Sequence, residues 1–227
     1  MPPAGTREAL VASMEREPLH KYGFQQGLPD FRRAAVDWLA RRFGQHFDPA
    51  TELLPLIGSK EGLAHLAFAV VDPGDVVVVP EPGYQTYLGG AMLAGGEPLI
   101  VPLRAEQEFL RELGDLAPEV LERTALVYVN YPNNPTTAVA PLDYLQRLVD
   151  VWRRYDIVLA YDNPYCDVAF DGYVAPSIFQ VEGARDVAVE FFSMSKSFKM
   201  TGWRLGFAVG NAAVIGALSK VKSYVDT

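Results

Sequence analysis

Short apolar segments alternate with amphipathic ones along the second half of the chain. Strand-length segments are VVVVP, PLIVPL, ALVYVN, IVLAYD, DVAVEFFS and LGFAVG, and helical periodicity marks TYLGGAMLAGG, LAPEVLER, PLDYLQRLVDVWRRY and AAVIGALSKVKSYV. Strands that are apolar on both faces and alternate with helices are typical of a parallel sheet covered on both sides. We therefore predict an α/β fold with a mostly parallel sheet sandwiched by helices. Because no full helix separates DVAVEFFS from LGFAVG, one of these two strands is expected to run antiparallel.

Three helices are predicted in the first part of the chain. The segment TREALVASMERE has an amphipathic pattern, and PDFRRAAVDWLARRFG has Pro29 and Asp30 as start signals and Gly44 as a stop signal. A glycine-rich loop, HKYGFQQGLPD, separates them. In IGSKEGLAHLAFAVVDPGD a turn leads into a helix that is apolar on most faces, which predicts burial. The sequence contains no internal repeat and no linker.

Composition narrows the class of protein. Apolar residues make up 49% of the 227 residues, and the net charge is -8 without a basic stripe, which disfavours a nucleic-acid groove. The single cysteine, Cys166, excludes an intrachain disulfide framework and a CxxC site, and the histidines lack ligand-like spacing. The apolar runs are shorter than the roughly 20 residues of a membrane span, and the first residues do not resemble a signal peptide. We expect a soluble, acidic, cytoplasmic protein that binds no nucleic acid, membrane or metal.

Polar residues follow several predicted strands, where open parallel sheets bind ligands. The turn Gly58-Ser59-Lys60 precedes a helix whose free N–H groups suit a phosphate. A lysine able to form a Schiff base, an acid, aromatic rings and a phosphate-binding turn are the parts of a pyridoxal-phosphate (PLP) site. The candidates at the strand ends are Tyr84, Asn134, Asp162, Tyr165, Ser193, Ser195 and Lys196.

Each candidate taken alone also has a purely structural interpretation. A lysine in a loop is usually solvated, and Lys60 and Lys199 rival Lys196 on chemistry alone. Asp162 and Asn134, each beside a proline or an asparagine, are typical turn residues. The tyrosines are as compatible with packing, Ser59 with a helix cap, and Arg204 with an ion pair.

Taken together, the motifs resemble those of the class I and II aminotransferases, which are fold type I PLP enzymes. The segment SMSKSFKMTGWRLG resembles their cofactor-lysine segment, YPNNPT their asparagine-proline loop, and YDNPY their Asp-x-x-Tyr segment. KYGFQQGLPDFRRAA, GSKEGL and DPGDVVVVPEPGYQTY match in order as well. The resemblance covers nearly the whole chain, and it implies the large PLP-binding domain over residues 1–227.

The resemblance also implies roles for individual residues. Lys196 would bind PLP through a Schiff base and act as acid and base in the proton transfer. Asp162 would pair with the protonated ring nitrogen, Asn134 and Tyr165 would bond the phenolic oxygen, and Tyr84 would stack on the ring. Tyr22 would reach the phosphate in the partner subunit of a homodimer. The remaining phosphate ligands would be Ser59, Lys60, Ser193, Ser195 and Arg204.

The implied activity is transfer of an amino group between an amino acid and a 2-oxo acid. The segment YDNPYCDVAFDGYVAPSIFQ resembles the LL-diaminopimelate and aspartate or alanine aminotransferase branch of the family. Another PLP reaction, such as that of a β-lyase or a decarboxylase, stays open, as does a non-catalytic remnant that keeps the fold. A cofactor-binding domain of a transcription regulator is disfavoured, because no helix-turn-helix precedes the domain.

The chain departs from the family pattern in three places. Thr137 stands where relatives usually have glycine, which puts the tightness of that turn in question. The amino-terminal arm and the carboxy-terminal small domain are expected to be missing, the latter with the arginine that clamps the substrate carboxylate. We expect from this that the chain binds cofactor but turns over poorly.

Overall fold

The computed structural model describes residues 1–16, 20 and 26–226. Seven strands in these residues form one sheet, with the spatial order first, seventh, sixth, fifth, fourth, second, third. They are Leu53–Leu56 (β1), Val76–Glu81 (β2), Glu97–Pro102 (β3), Thr124–Asn130 (β4), Val158–Asp162 (β5), Ala188–Ser193 (β6) and Gly206–Gly210 (β7).

Helices connect the strands and cover both faces of the sheet. Short 3-10 turns occur at Ala105–Gln107, Leu113–Asp115, Ile178–Gln180 and Thr201–Trp203. The α-helices are Thr6–Ser13 (α1), Pro29–Phe43 (α2), Ser59–Val70 (α3), Thr86–Leu93 (α4), Pro118–Leu121 (α5), Leu142–Tyr155 (α6), Ala184–Val187 (α7), Met194–Ser197 (α8) and Ala212–Val225 (α9).

The sheet is parallel from β3 to β6 and antiparallel around β7. β2 pairs in parallel with β3 and β4, and β5 pairs in parallel with β4 and β6. β7 is antiparallel to both β6 and β1. The predicted α/β class is therefore confirmed, and so is an antiparallel strand in the late pair: the connection from β6 to β7 contains only the single-turn helix α8 and a 3-10 turn, without a full crossover helix.

The sequence pattern did not predict β1. Its four residues, LLPL, are short and contain a proline, which disfavours a central strand. β1 lies at the sheet edge and pairs with β7, with Leu56 opposite Gly206. It matters for the site, because it brings the turn at Gly58 to the start of β7.

The core has two layers, one on each face of the sheet. On one face α6 buries Leu145, Leu148 and Trp152. On the other face α3 and α9 bury Leu63 and Leu218. The apolar faces of α3 predicted burial, and most of the helix is buried or half-buried, but Phe68 is 44% exposed.

Among the described helices, none is both long enough and apolar enough to cross a membrane.

Candidate active site

A cavity of about 190 Å³ lies at the carboxyl ends of the parallel strands. β5 and β6 end at Asp162 and Ser193, and both residues line it. Tyr22 lies outside the described residues. All ten other residues predicted for the site line this one cavity, together with Pro164 and Thr201: Ser59, Lys60, Tyr84, Asn134, Asp162, Tyr165, Ser193, Ser195, Lys196 and Arg204.

Asp162 has one carboxylate oxygen bound and one free. The hydroxyl of Tyr87 donates a hydrogen bond to its Oδ2 at 2.7 Å. Oδ1 is buried and has no partner among the residues that the structure describes. Burial raises the pKa of Asp162 to about 7, and the hydrogen bond from Tyr87 opposes this rise. A cation that reached Oδ1 would be bound by a carboxylate with little competing solvation.

Asn134 is held at the cavity by the end of β4. Its backbone N–H donates to Oδ1 of Asn130 at 2.7 Å. The following turn is closed by the N–H of Thr137, which donates to the oxygen of Asn133 at 2.8 Å. Thr137 has a φ of +63°, in the left-handed region that favours glycine. The turn is thus tight despite the threonine, which occupies a backbone conformation that disfavours a β-branched residue.

The turn from β1 to α3 packs closely on the start of β7. A Cβ atom on Gly206 would lie 2.9 Å from the backbone nitrogen of Ser59, so only glycine permits this approach. A Cβ atom on Gly58 would lie 2.5 Å from Nη2 of Arg204. The guanidinium therefore lies directly over the glycine, beside the N-terminus of α3. Positive charge and free backbone N–H groups converge here, as an anion requires.

Two lysines line the cavity. Lys196 lies on the single turn of α8, and its Nζ is 5.9 Å from the ring centroid of Tyr165. Nζ of Lys60 is 6.0 Å from the ring centroid of Tyr84. The third candidate, Lys199, is exposed on the following turn with a φ of +55°.

Glu61 supports the turn Gly58-Ser59-Lys60, which is the candidate phosphate site. Its Oε2 accepts a hydrogen bond from the N–H of Ile57 at 2.8 Å, and its Oε1 accepts one from Nζ of Lys222 at 3.3 Å. Lys222 is 8% exposed and also bonds Asp226 at 2.9 Å. The ammonium ion thus pairs with both carboxylates, balances one of their two negative charges, and joins α9 to the turn.

The residues that support the site from below were not predicted from the sequence. They are Tyr87 on α4, Asn130 at the end of β4, and the pair Asn163 and Glu190. Glu190 is fully buried; its Oε1 accepts from Nδ2 of Asn163 at 2.8 Å, and its Oε2 accepts from Ser177. A glutamate inside an apolar strand was a signal that could have drawn attention to this network.

The side chains that line the cavity fit a phosphorylated pyridine aldehyde such as PLP. The free Oδ1 of Asp162 suits a protonated ring nitrogen, and an amine is available in Lys196. The arginine over Gly58, next to the start of α3, suits a phosphate. These three features lie at one cavity, which is what a single ligand with three such groups requires.

Comparison with known proteins agrees with this chemistry. A model of the aminotransferase class I and II family matches residues 2–225. The LL-diaminopimelate aminotransferase of Desulforudis audaxviator is 48% identical over 230 residues, covering 100% of this chain and 59% of that protein. The LL-diaminopimelate aminotransferase of Moorella thermoacetica is 46% identical over 225 residues, covering 99% and 58%.

A solved structure has the same fold. It is described as a probable N-succinyldiaminopimelate aminotransferase from Thermus thermophilus and has a TM-score of 0.92 at 37% identity, covering 99% of this chain and 60% of that chain. The chain thus spans about three fifths of the length of these relatives. Because the family match extends over almost every residue and the cavity gathers the family's motifs, the chain belongs to the aminotransferase class I and II family.

Proposed function

We propose that residues 1–227 form the PLP-binding large domain of an amino-acid aminotransferase. The observation that carries the proposal is the meeting of Lys196, the free oxygen of Asp162 and Arg204 at one cavity. Members of this family depend on PLP, which agrees with the fit of the cavity. A remnant that had lost the cofactor would have no need to keep these three groups together.

Lys196, Asp162 and Tyr84 each have a separate role towards the cofactor. Lys196 binds the cofactor covalently through Nζ and later carries a proton at the same atom. Asp162 keeps the ring nitrogen protonated through Oδ1, and Tyr84 packs against the ring. When bound, PLP supplies an electron sink for the bond that breaks at the amino acid's α-carbon.

The remaining residues fix the cofactor at its two polar ends. Asn134 and Tyr165 bond the phenolic oxygen. The phosphate ligands are Ser59, Lys60, Ser193, Ser195 and Arg204, which join the helix N-terminus of α3 in binding the dianion.

The covalent step has a direct test. The purified chain is incubated with PLP, reduced with borohydride, digested and mapped. We expect one tagged peptide, labelled at Lys196 and abolished in Lys196→Ala. The exposed Lys199→Ala variant is the matched control and should be labelled like the parent. A tag at Lys60 or Lys199, or none, would contradict the assignment.

We propose LL-diaminopimelate as amino donor and a 2-oxo acid as acceptor. The names of the relatives support this choice, and the diaminopimelate skeleton recurs in the name of the solved structure. The loaded chain is mixed with LL-diaminopimelate, aspartate or glutamate in a single turnover. Transamination leaves pyridoxamine phosphate, whereas β-elimination leaves pyruvate and ammonia. Pyridoxamine phosphate should form fastest with LL-diaminopimelate.

We also propose a homodimer in which Tyr22 reaches the phosphate of the partner's site. Lys60 and Arg204 are exposed at the cavity, which supports a dimer in which the partner subunit covers them. Sedimentation should give a dimer mass, and Tyr22→Phe should weaken PLP binding. A parent chain that binds PLP as a monomer would contradict this proposal, and so would a Tyr22→Phe variant with the parent's affinity for PLP.

A further inference from the structure

Tyr87 lies beneath the candidate site, and its hydroxyl group donates a hydrogen bond to a single atom. The side chain is 0% exposed, and its hydroxyl donates to Oδ2 of Asp162 at 2.7 Å. Its ring stacks on Tyr128 with centroids 4.6 Å apart and an interplanar angle of 14°. The hydroxyl of Tyr128 in turn donates to the backbone oxygen of Leu63 at 2.9 Å. The phenol of Tyr87 is thus held against the sheet, by Asp162 at the end of β5 and by the ring of Tyr128 on β4.

Tyr87 remains a hydrogen-bond donor at any ordinary pH. Burial, followed by the charge of Asp162, raises its pKa well above the usual value of 10. Because the hydroxyl keeps its proton, Oδ2 of Asp162 stays occupied. Within the described part of the chain, Oδ1 is the carboxylate oxygen without a partner.

We propose that Tyr87 is a positioning residue that acts through Asp162: its hydroxyl selects the carboxylate orientation in which Oδ1 serves the ligand, and it favours the ionised carboxylate. This role rests on the function proposed above only in the identity of the ligand, which would be the protonated ring nitrogen of PLP. The carboxylate geometry itself is a property of the chain without cofactor, so it does not depend on PLP.

Two opposing effects make the hydroxyl necessary. Burial favours the neutral form of Asp162, which could not hold a proton on a ligand's nitrogen. A hydrogen bond donated to the carboxylate favours the charged form. Without the hydroxyl, Oδ2 would be a second buried oxygen lacking a partner, so the carboxyl group would take up a proton more readily and could turn about its χ2 bond.

The first test uses the chain without cofactor, so it is independent of PLP binding. The titration of the Asp162 carboxyl carbon is followed by 13C NMR in the parent, in Tyr87→Phe and in Tyr128→Phe. The midpoint should rise by about one pH unit in Tyr87→Phe, since a hydrogen bond to a charged group has about that value. Tyr128→Phe also removes a buried hydroxyl, but one bonded to Leu63, and should shift the midpoint less. An unchanged midpoint in a folded Tyr87→Phe chain would overturn the proposal.

The parent chain provides a measurement that needs no variant. The Cζ resonance of Tyr87 should change with the same pH midpoint as the Asp162 carboxyl, because its hydroxyl bonds the carboxylate that changes charge. Independent midpoints would overturn the proposal even if Tyr87→Phe failed to fold.

The second test asks whether Tyr87 acts through Asp162. PLP affinity is titrated for Tyr87→Phe, for Asp162→Asn and for the double variant. Tyr87→Phe should weaken binding at pH 8 in the parent background and have no further effect in the Asp162→Asn background, because the amide carries no charge to maintain. Equal effects in both backgrounds would contradict the coupling. If no variant and no parent binds PLP, the proposed function fails while the NMR result still decides the role of Tyr87.

Discussion

The side-chain amide of Asn130 donates a hydrogen bond to the backbone oxygen of Asp162 at 2.7 Å. Oδ1 of the same side chain accepts the N–H of Asn134. One residue at the end of β4 therefore sets the position of two cavity residues that are 28 positions apart in the chain. It links the acid at the bottom of the cavity to the asparagine at its edge.

Replacing Asn130 with aspartate should destabilise the chain. The carboxylate keeps an acceptor for Asn134 but turns an oxygen towards the backbone oxygen of Asp162. We expect a loss of about 1–3 kcal/mol in the free energy of unfolding, measured by urea denaturation. Asn133→Asp is the matched control, because it adds the same charge at similar burial and Nδ2 of Asn133 bonds none of the described residues. Equal losses would show that charge, not the lost donor, is responsible.

Thr137→Gly should stabilise the chain. A φ of +63° is costly for a β-branched residue and nearly free for glycine, which gives a gain of about 1 kcal/mol. Thermal unfolding measures the difference. Thr136→Gly is expected to act in the opposite direction, because the hydroxyl of Thr136 donates to Asn133 at 2.8 Å. A lower melting temperature for Thr137→Gly would mean that its side chain contributes more than its backbone strain costs.

Gly58→Ala should weaken the binding of PLP by about tenfold or more, which is about 1.4 kcal/mol. The new methyl group would lie 2.5 Å from Nη2 of Arg204 and displace the guanidinium. Gly44→Ala is the control for a methyl group at positive φ: its φ of +69° is close to the +79° of Gly58, its ψ is 19° against 152°, and no atom lies within 4 Å of its Cβ position. The control should lose stability and retain affinity. Parent-like affinity in Gly58→Ala would place the phosphate elsewhere.

Glu190 should make the chain less stable as the pH rises. Burial raises its pKa in the folded chain from 4.5 to about 8, so the folded state holds a proton that the unfolded state has lost. Between pH 5 and 8 the free energy of unfolding should therefore fall, with a contribution from this group of up to about 1.4 kcal/mol per pH unit. Asp162 contributes in the same direction up to about pH 7.

Glu190→Gln isolates that contribution, because glutamine has the shape of the protonated acid and can still bond Asn163 and Ser177. Urea denaturation at several pH values should give a smaller slope for the variant, and the two chains should be most alike near pH 5. The same pH dependence in both chains would mean that Glu190 is ionised in the folded protein.

Much of the fold could be predicted because hydrophobic periodicity reports burial directly. Strands that are apolar on both faces can lie only inside a covered sheet, and the lack of a full helix before β7 predicted that one strand of the last pair runs antiparallel. β1 was not predicted, because a segment of four residues that includes a proline has too little periodicity to indicate a strand. Its place at the sheet edge depends on pairing with β7, a contact between residues far apart in the chain.

Seven cavity residues could be predicted because the carboxyl ends of parallel strands meet at one edge, so residues that follow different strands must converge. Ser59 and Lys60 could be predicted from the turn that starts a helix, and Arg204 from the family resemblance. Their supports could not be predicted in that way. Tyr87, Asn130 and Glu190 lie within elements and look like ordinary residues of a helix or strand. What distinguishes them is a hydrogen bond to a residue at least 27 positions away. Such partners come within reach only when the layers pack, so the tertiary structure alone decided which oxygen of Asp162 is free and which neighbours hold it.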